Sequence, residues 1–131
     1  MAKSAAELVK EAKQQIENLT PQQVVEELSK GNVLLLDIRD AEELKQNGKI
    51  ASSLHASRGM LEFYADAATP YHKPEFDKGK RIILHCASGG RSALAAVTLK
   101  EMGYEQVAHM DGGLKAWKEA GLPTEQPATK M

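Results

Sequence analysis

The chain has 131 residues, a length typical of one domain that can bury a sizeable core without disulfides or metals. It carries 17 basic and 18 acidic residues, a balance that gives no electrostatic reason to expect binding to nucleic acid or an anionic membrane. The single cysteine excludes an internal disulfide and suits a reducing compartment. Because no apolar run is long enough to span a membrane and the N-terminus lacks the apolar core of a secretory signal, we expect a cytoplasmic protein.

Capping signals predict two helices near the N-terminus. Ser4 and Glu7 form a capping box, and apolar residues follow at helical spacing. Thr20 is a second N-cap residue, and Gly31 ends the helix that it begins.

After Gly31 the chain alternates between apolar runs and helical patterns. Nearly continuous apolar runs are typical of strands that are buried on both faces of a sheet. The predicted strands are residues 33–38, 53–55, 81–85 and 106–110, and the predicted helices run from Asp40 to Gly48, from Ser92 to Met102 and onward from the cap at Asp111. This alternation predicts a parallel sheet that is covered by helices on both faces.

The predicted strand ends bring polar residues to one edge of this sheet. In open parallel sheets, ligands bind beyond the carboxyl ends of the strands. The residues at or just after those ends are Asp37, Arg39, Cys86, Asp111 and Gly112. We therefore expect the functional site at this edge.

The clearest chemical signal is the segment that follows the strand over 81–85 and begins with Cys86. Gly89 and Gly90 allow a tight loop whose backbone N–H groups point inward and form an anion-binding nest. The positive N-terminal end of the next helix and the cation of Arg91 add to this field. Each effect favours a thiolate or persulfide anion over a neutral thiol, so the sequence predicts that Cys86 is reactive rather than a buried packing residue.

The segment Cys86-Ala87-Ser88-Gly89-Gly90-Arg91-Ser92 resembles the active-site loop of rhodanese-domain proteins. Residues 36–39 resemble their strand motif, and residues 112–117 with 121–123 resemble their C-terminal signature. The resemblance makes residues 1–19 an N-terminal helical extension, 20–123 the rhodanese-like domain and 124–131 a polar tail. It implies a doubly wound α/β fold with a central parallel sheet of about five strands and helices on both faces, plus the extra N-terminal helix.

The resemblance also implies a cofactor-free sulfurtransferase that works in two steps. The thiolate of Cys86 would take a sulfane sulfur from a donor such as thiosulfate, and the resulting persulfide would pass it to a thiol or cyanide. The backbone N–H groups of the loop would hold the anionic sulfur. The binding residues that the resemblance implies are therefore Ala87, Ser88, Gly89, Gly90, Arg91 and Ser92. Ser88 occupies a position where tandem-domain rhodaneses carry a basic residue, which leaves the donor open.

Two other functions remain open for the same cysteine. Cysteine-dependent phosphatases and arsenate reductases place five residues between Cys and Arg, so that the loop encloses a tetrahedral oxyanion. Only four residues separate Cys86 from Arg91, and a tighter ring of N–H groups suits a terminal sulfur better. The other alternative is a non-catalytic module that binds a partner or carries persulfide sulfur.

Several residues outside the loop have both a functional and a structural interpretation. Asp37 and Arg39 form either an ion pair that supports the loop or a tether for the next helix. Arg58 is expected to help bind an anionic donor, the alternative being an ordinary surface arginine. His85 faces away from Cys86 along its strand and is interpreted as a hydrogen-bonded structural residue, not a base.

No metal site is expected, because the remaining histidines lack ligand spacing with each other or with the cysteine. The expected partners are a small sulfur donor and a thiol or cyanide acceptor. The apolar face of the N-terminal helix either packs across the domain or forms a homodimer with a second subunit.

Overall fold

The computed structural model describes residues 2–127, and the last four residues of the predicted polar tail lie outside this range. One sheet contains five parallel strands, β1 (Glu17–Leu19), β2 (Val33–Asp37), β3 (Leu54–His55), β4 (Arg81–His85) and β5 (Val107–Met110). Their order across the sheet is β1-β5-β4-β2-β3. The helices are α1 (Ala5–Gln15), α2 (Pro21–Lys30), α3 (Ala41–Asn47), α4 (Leu61–Ala65), α5 (Gly90–Glu101) and α6 (Gly113–Glu119).

Helices cover both faces of the sheet, which confirms the predicted α/β class. One apolar cluster joins Ile82 and Leu84 of β4 to buried residues of α1, α4 and α5. The other joins Ile83 of the same strand to α2 and α6. The clusters separate in this way because successive side chains of a strand point to opposite faces. No helix within residues 2–127 is long and apolar enough to cross a membrane.

The N-terminal segment is built into the domain. Helix α1 begins at the predicted capping box of Ser4 and packs along α5, with Ala12 and Ile16 in the core. The apolar face of α1 therefore packs across its own domain, which is one of the two alternatives predicted for it. The chain then forms β1, which pairs with β5 at one edge of the sheet. Strand β1 was not predicted from the sequence, because it has only three residues, of which Glu17 and Asn18 are exposed.

Helices α5 and α6 do not begin where the sequence predicted, because a glycine with a positive φ precedes each of them. Helix α5 begins at Gly90 and not at Ser92, because Gly89 has a φ of 106° and ends the loop earlier. Helix α6 is capped by Gly112, with a φ of 81°, and not by Asp111. The side chain of Asp111 instead forms an ion pair of 2.9 Å with Lys13 of α1.

A buried ion pair fixes the chain just beyond β2. The guanidinium of Arg39 donates to both carboxylate oxygens of Asp37, at 2.9 and 2.7 Å, and both side chains are at most 1% exposed. Burial by itself would raise the pKa of Asp37, but the hydrogen bonds and charge of Arg39 hold that pKa below its usual value. Arg39 also donates to the carbonyl of Gly48 at 2.9 Å, which ties the end of α3 to the sheet.

Replacing Arg39 with Met would leave the carboxylate of Asp37 buried without its partner. We expect Arg39→Met to lower the free energy of unfolding by about 3–5 kcal/mol, measured by denaturant titration. The control is Lys45→Met, which removes an exposed ion pair with Glu42 and should cost less than about 1 kcal/mol. Equal losses in the two variants would show that the buried pair contributes no more than a surface pair.

Candidate active site

Cys86 follows β4 directly, and its sulfur lies inside the loop that leads into α5. The residue is only 1% exposed. Its Sγ accepts hydrogen bonds from the N–H groups of Gly89 at 3.2 Å and Ser92 at 3.4 Å, and lies 3.6 Å from the hydroxyl oxygen of Ser92. The positive φ of Gly89 turns the loop back over the sulfur, which places the first turn of α5 against it.

The surroundings of the sulfur lower the pKa of Cys86 below its ordinary value. Burial acts in the opposite direction and raises this pKa, because a buried charge loses its hydration. Hydrogen bonds to the sulfur act against the burial and lower this pKa: the backbone N–H groups of Ser92, Gly89 and Ser88 donate to it, and the Ser92 hydroxyl is able to add a further bond. The hydroxyl contributes only while its proton points towards sulfur.

Helix α6 holds the loop from the outside. The N–H of Leu114 donates to the carbonyl of Cys86 at 2.9 Å, and the N–H of Lys115 donates to the carbonyl of Ala87 at 3.0 Å. Gly113 makes this close approach possible, since a Cβ atom there would lie 2.6 Å from both carbonyl oxygens. These bonds hold the two carbonyls away from the sulfur, on the side of the loop opposite the N–H groups.

The charge of Arg91 is paired with a carboxylate. Its guanidinium donates to both oxygens of Glu43 in α3, at 2.8 and 2.9 Å. These bonds lower the pKa of Glu43 to about 2 and raise the pKa of Arg91. The pairing of Arg91 with Glu43 was not predicted from the sequence. Glu43 also accepts a hydrogen bond from the backbone N–H of Asp40, at the start of α3. The loop therefore carries less net positive charge than the sequence suggests.

The remaining predicted binding residues are divided between the loop and another part of the fold. Ser88 is exposed at the rim of the loop, and Gly90 faces Val9 of α1. Arg58 precedes α4, and it donates to Glu62 at 2.9 Å and to the hydroxyl of Thr98 in α5 at 3.4 Å. Among the described residues it forms no hydrogen bond with the loop, so its predicted contact with a donor stays a prediction.

A second set of polar residues lies behind the sulfur. The hydroxyl oxygen of Ser92 is 2.8 Å from Nδ1 of His109, and Nε2 of that ring is 2.8 Å from Oδ1 of Asn18. In the sequence, His109 was one of the histidines whose spacing argued against a metal site, and no other role was predicted for it. The signal that could have identified it is a polar residue within the fully buried strand β5. Asn18 gave no signal, because β1 was not predicted.

Known proteins resemble this chain over most of its length. A family model described as the rhodanese-like domain matches residues 20–120. The chain belongs to the rhodanese-like domain family. The thiosulfate sulfurtransferase GlpE of Actinobacillus succinogenes is 29% identical, over 82% of this chain and 88% of that protein.

Two solved structures have the same rhodanese-like fold as this chain over nearly its whole length. A Rhodopseudomonas palustris protein of unknown function, described as a possible tyrosine phosphatase, is 41% identical with a TM-score of 0.89, over 95% of this chain and 96% of that one. The polysulfide-sulfur transferase homodimer of Wolinella succinogenes is 33% identical with a TM-score of 0.73, over 92% and 85%.

His85 differs in part from its predicted role in the rhodanese-like site. Its Nδ1 lies 3.3 Å from the carbonyl of Cys86, but its Nε2 has no hydrogen-bond partner among the described residues and is 3.7 Å from Asp37. Burial lowers the pKa of His85, which keeps the ring neutral. The prediction of a fully hydrogen-bonded histidine was therefore wrong for one nitrogen. Within residues 2–127, no group of three or more His, Cys, Asp or Glu side chains is arranged to hold a metal.

Adding a methyl group at Gly113 tests how strongly α6 holds the rhodanese loop. Gly113→Ala and Gly121→Ala both place alanine at a positive φ, of 60° and 78°, but only the first meets backbone atoms. Gly121→Ala should cost about 1–2 kcal/mol, and Gly113→Ala about 1–3 kcal/mol more, measured by denaturant titration. Gly113→Ala should also change the alkylation rate of Cys86, whereas Gly121→Ala should not. Indistinguishable behaviour of the two variants would contradict the close contact.

Proposed function

We propose that this chain is a sulfurtransferase that carries a sulfane sulfur as a persulfide on Cys86. The donor is a compound such as thiosulfate, and the acceptor is a thiol or cyanide. The observation that carries the proposal is the position of Sγ at the start of α5. There it accepts hydrogen bonds from the backbone N–H groups of Gly89 and Ser92. Such donors stabilise a sulfur anion without requiring a metal or a cofactor.

Both steps of this reaction are nucleophilic displacements at sulfur. The thiolate of Cys86 attacks the sulfane sulfur of thiosulfate, the sulfur–sulfur bond of the donor breaks, and sulfite leaves with its electron pair. An acceptor thiolate then attacks the outer sulfur of the persulfide, and the thiolate of Cys86 leaves. The anion-binding loop acts in both steps, because the sulfur of Cys86 is negatively charged before the first and after the second.

The named relatives support this choice of substrates. The Actinobacillus relative is named for thiosulfate, and the Wolinella relative for polysulfide sulfur. Both donors present a sulfane sulfur to a nucleophile. We place the reaction in the cytoplasm, because a single cysteine without a disulfide partner suits a reducing compartment.

Phosphatase activity is the second candidate function, because the Rhodopseudomonas relative is described as a possible tyrosine phosphatase. The length of the loop opposes it here. Four residues separate Cys86 from Arg91, and the guanidinium that would bind a phosphate is already paired with Glu43. A non-catalytic persulfide carrier would use the same loop but transfer its sulfur only to a specific protein.

A homodimer through α1 stays a prediction. The Wolinella relative is a homodimer, but here the apolar side of α1 packs against α5. Leu8 is its large exposed apolar residue, at 43%.

Sulfur loading gives a direct test of the proposed function. Incubation with thiosulfate, without reductant, should increase the intact mass by one sulfur atom, and cyanide should remove it and form thiocyanate. Cys86→Ser should abolish both. A matched control combines Cys86→Ser with Ser29→Cys, which moves the only thiol to an exposed position at the end of α2 and should not load. Loading of the relocated thiol would show that the loop is not required.

Two outcomes would favour the other functions. Hydrolysis of a chromogenic aryl phosphate that depends on Cys86 would favour the phosphatase. Stable loading without transfer to cyanide or small thiols would favour the carrier. Failure to load from thiosulfate, polysulfide and a low-molecular-weight persulfide, in folded protein, would overturn the proposal.

Ser88→Lys tests whether the loop is short of positive charge for thiosulfate. Ser88 is exposed at the rim, so a lysine there would attract a dianionic donor. We expect kcat/KM for thiosulfate to rise by about three- to tenfold, with a gain that shrinks as salt is added. Ser88→Gln, which is similar in length but uncharged, should leave kcat/KM unchanged. An equal gain in both variants would show that size and not charge is responsible.

A further inference from the structure

A continuous chain of side chains leads from the sulfur of Cys86 to the edge strand β1. Sγ lies 3.6 Å from Oγ of Ser92, Oγ lies 2.8 Å from Nδ1 of His109, and Nε2 lies 2.8 Å from Oδ1 of Asn18. The first three residues are fully buried, and Asn18 reaches solvent. Asn18 also precedes the residues that match the family model. The solvent-facing end of this series of side chains therefore comes from the N-terminal extension.

The bonds of Asn18 fix which nitrogen of His109 carries the proton. The amide nitrogen of Asn18 donates to the carbonyls of Lys13 at 2.9 Å and Ile16 at 3.2 Å. Its oxygen therefore faces His109 and can only accept, so Nε2 of the ring must be the donor. In the neutral ring the other nitrogen, Nδ1, then presents a lone pair to Ser92.

This arrangement determines the direction of the bond between Ser92 and Cys86. A serine hydroxyl has one proton, and at 2.8 Å Nδ1 of His109 is the better acceptor for it. The oxygen of Ser92 is left with lone pairs facing the sulfur, so it accepts from a thiol but gives nothing to a thiolate. Burial lowers the pKa of His109 to about 4, so the ring stays neutral across the neutral pH range.

The charged groups around His109 do not reverse this conclusion. The carboxylate of Asp111 acts to raise the pKa of His109, and the ammonium of Lys13 acts to lower it. These two groups also pair with each other at 2.9 Å, which limits the field of either one at the ring. On the sulfur side, Arg91 is paired with Glu43.

We propose that Asn18 and His109 are positioning residues that hold the hydroxyl of Ser92 as a hydrogen-bond acceptor towards Cys86. The thiol form then gains a partner, whereas the sulfur anion relies on backbone N–H groups alone. His109 thereby restrains the ionisation of the nucleophile. Its importance for turnover rests on the proposed function, but the direction of the bond does not.

Removal of His109 should release the hydroxyl. In His109→Leu, the proton of Ser92 can turn towards a sulfur anion and stabilise it by a hydrogen bond, because the anion is a stronger acceptor than the carbonyl of Gly89, which lies 3.4 Å from the hydroxyl oxygen. One hydrogen bond to a charged group corresponds to about one pKa unit, or about tenfold more thiolate below the midpoint. In a Ser92→Ala background no hydroxyl remains to turn, so the same substitution should have no effect.

The experiment is the pH profile of Cys86 alkylation by iodoacetamide between about pH 4 and pH 10, a range that brackets the ordinary pKa of a thiol. The variants are His109→Leu, Ser92→Ala and the double variant, each checked for a wild-type circular dichroism spectrum. We expect His109→Leu to lower the midpoint by about one unit with Ser92 present and not to change it with Ala at this position. His72→Leu is the matched control, since this ring bonds to the carbonyl of Tyr64 and should leave the midpoint unchanged.

Asn18→Ala provides an independent test if His109→Leu does not fold. Asn18 is exposed, and its loss lets the proton of His109 move to Nδ1 and donate to Ser92. The midpoint should again fall, by less than in His109→Leu, and again only with Ser92 present.

Three results would overturn the inference. They are an unchanged midpoint in both His109→Leu and Asn18→Ala, a raised midpoint in either, and the same shift with and without the Ser92 hydroxyl. The last result would mean that His109 acts through its field or through packing and not through Ser92. Alkylation needs no sulfur donor, so this inference and the proposed sulfur transfer can each fail while the other stands.

Discussion

The bonds from α6 to the carbonyls of Cys86 and Ala87 are the constraint on which the site depends. A tight loop of small residues could present either its carbonyls or its N–H groups to the sulfur. The amides of Leu114 and Lys115 bind those two carbonyls on the outer side of the loop. The sulfur therefore lies against N–H groups, and a glycine at position 113 is needed for the helix to come close enough.

The charged side chains near the loop mainly stabilise the fold around it. Arg39 is paired with Asp37 and ties α3 to β2, and Arg91 is paired with Glu43 of the same helix. Two arginines that the sequence places beside the nucleophile thus have their charges largely balanced. Stabilisation of a sulfur anion falls to neutral backbone groups, whose effect is short-range and strongest in a buried site.

The sequence was informative where the determinants of structure are local. Capping boxes, apolar runs and closely spaced glycines predicted most helices, four strands and the loop of Cys86, because each depends on residues within a few positions. The partners of the site residues depend on how distant segments meet. Glu43 is 48 positions from Arg91, and Asn18 is 91 positions from His109. The strand that carries Asn18 forms only because β5 offers a free edge beside it, and a three-residue polar segment does not reveal this.

The contrast between the buried sulfur and the exposed Ser88 has a consequence for divergence within such folds. The inner wall of the loop is backbone, so its chemistry persists through many changes of side chain. The rim, where an incoming molecule first makes contact, consists of side chains that touch little else. Substitution of a few rim residues can therefore change which sulfur donor or acceptor is used. The backbone groups that surround the reactive sulfur stay the same.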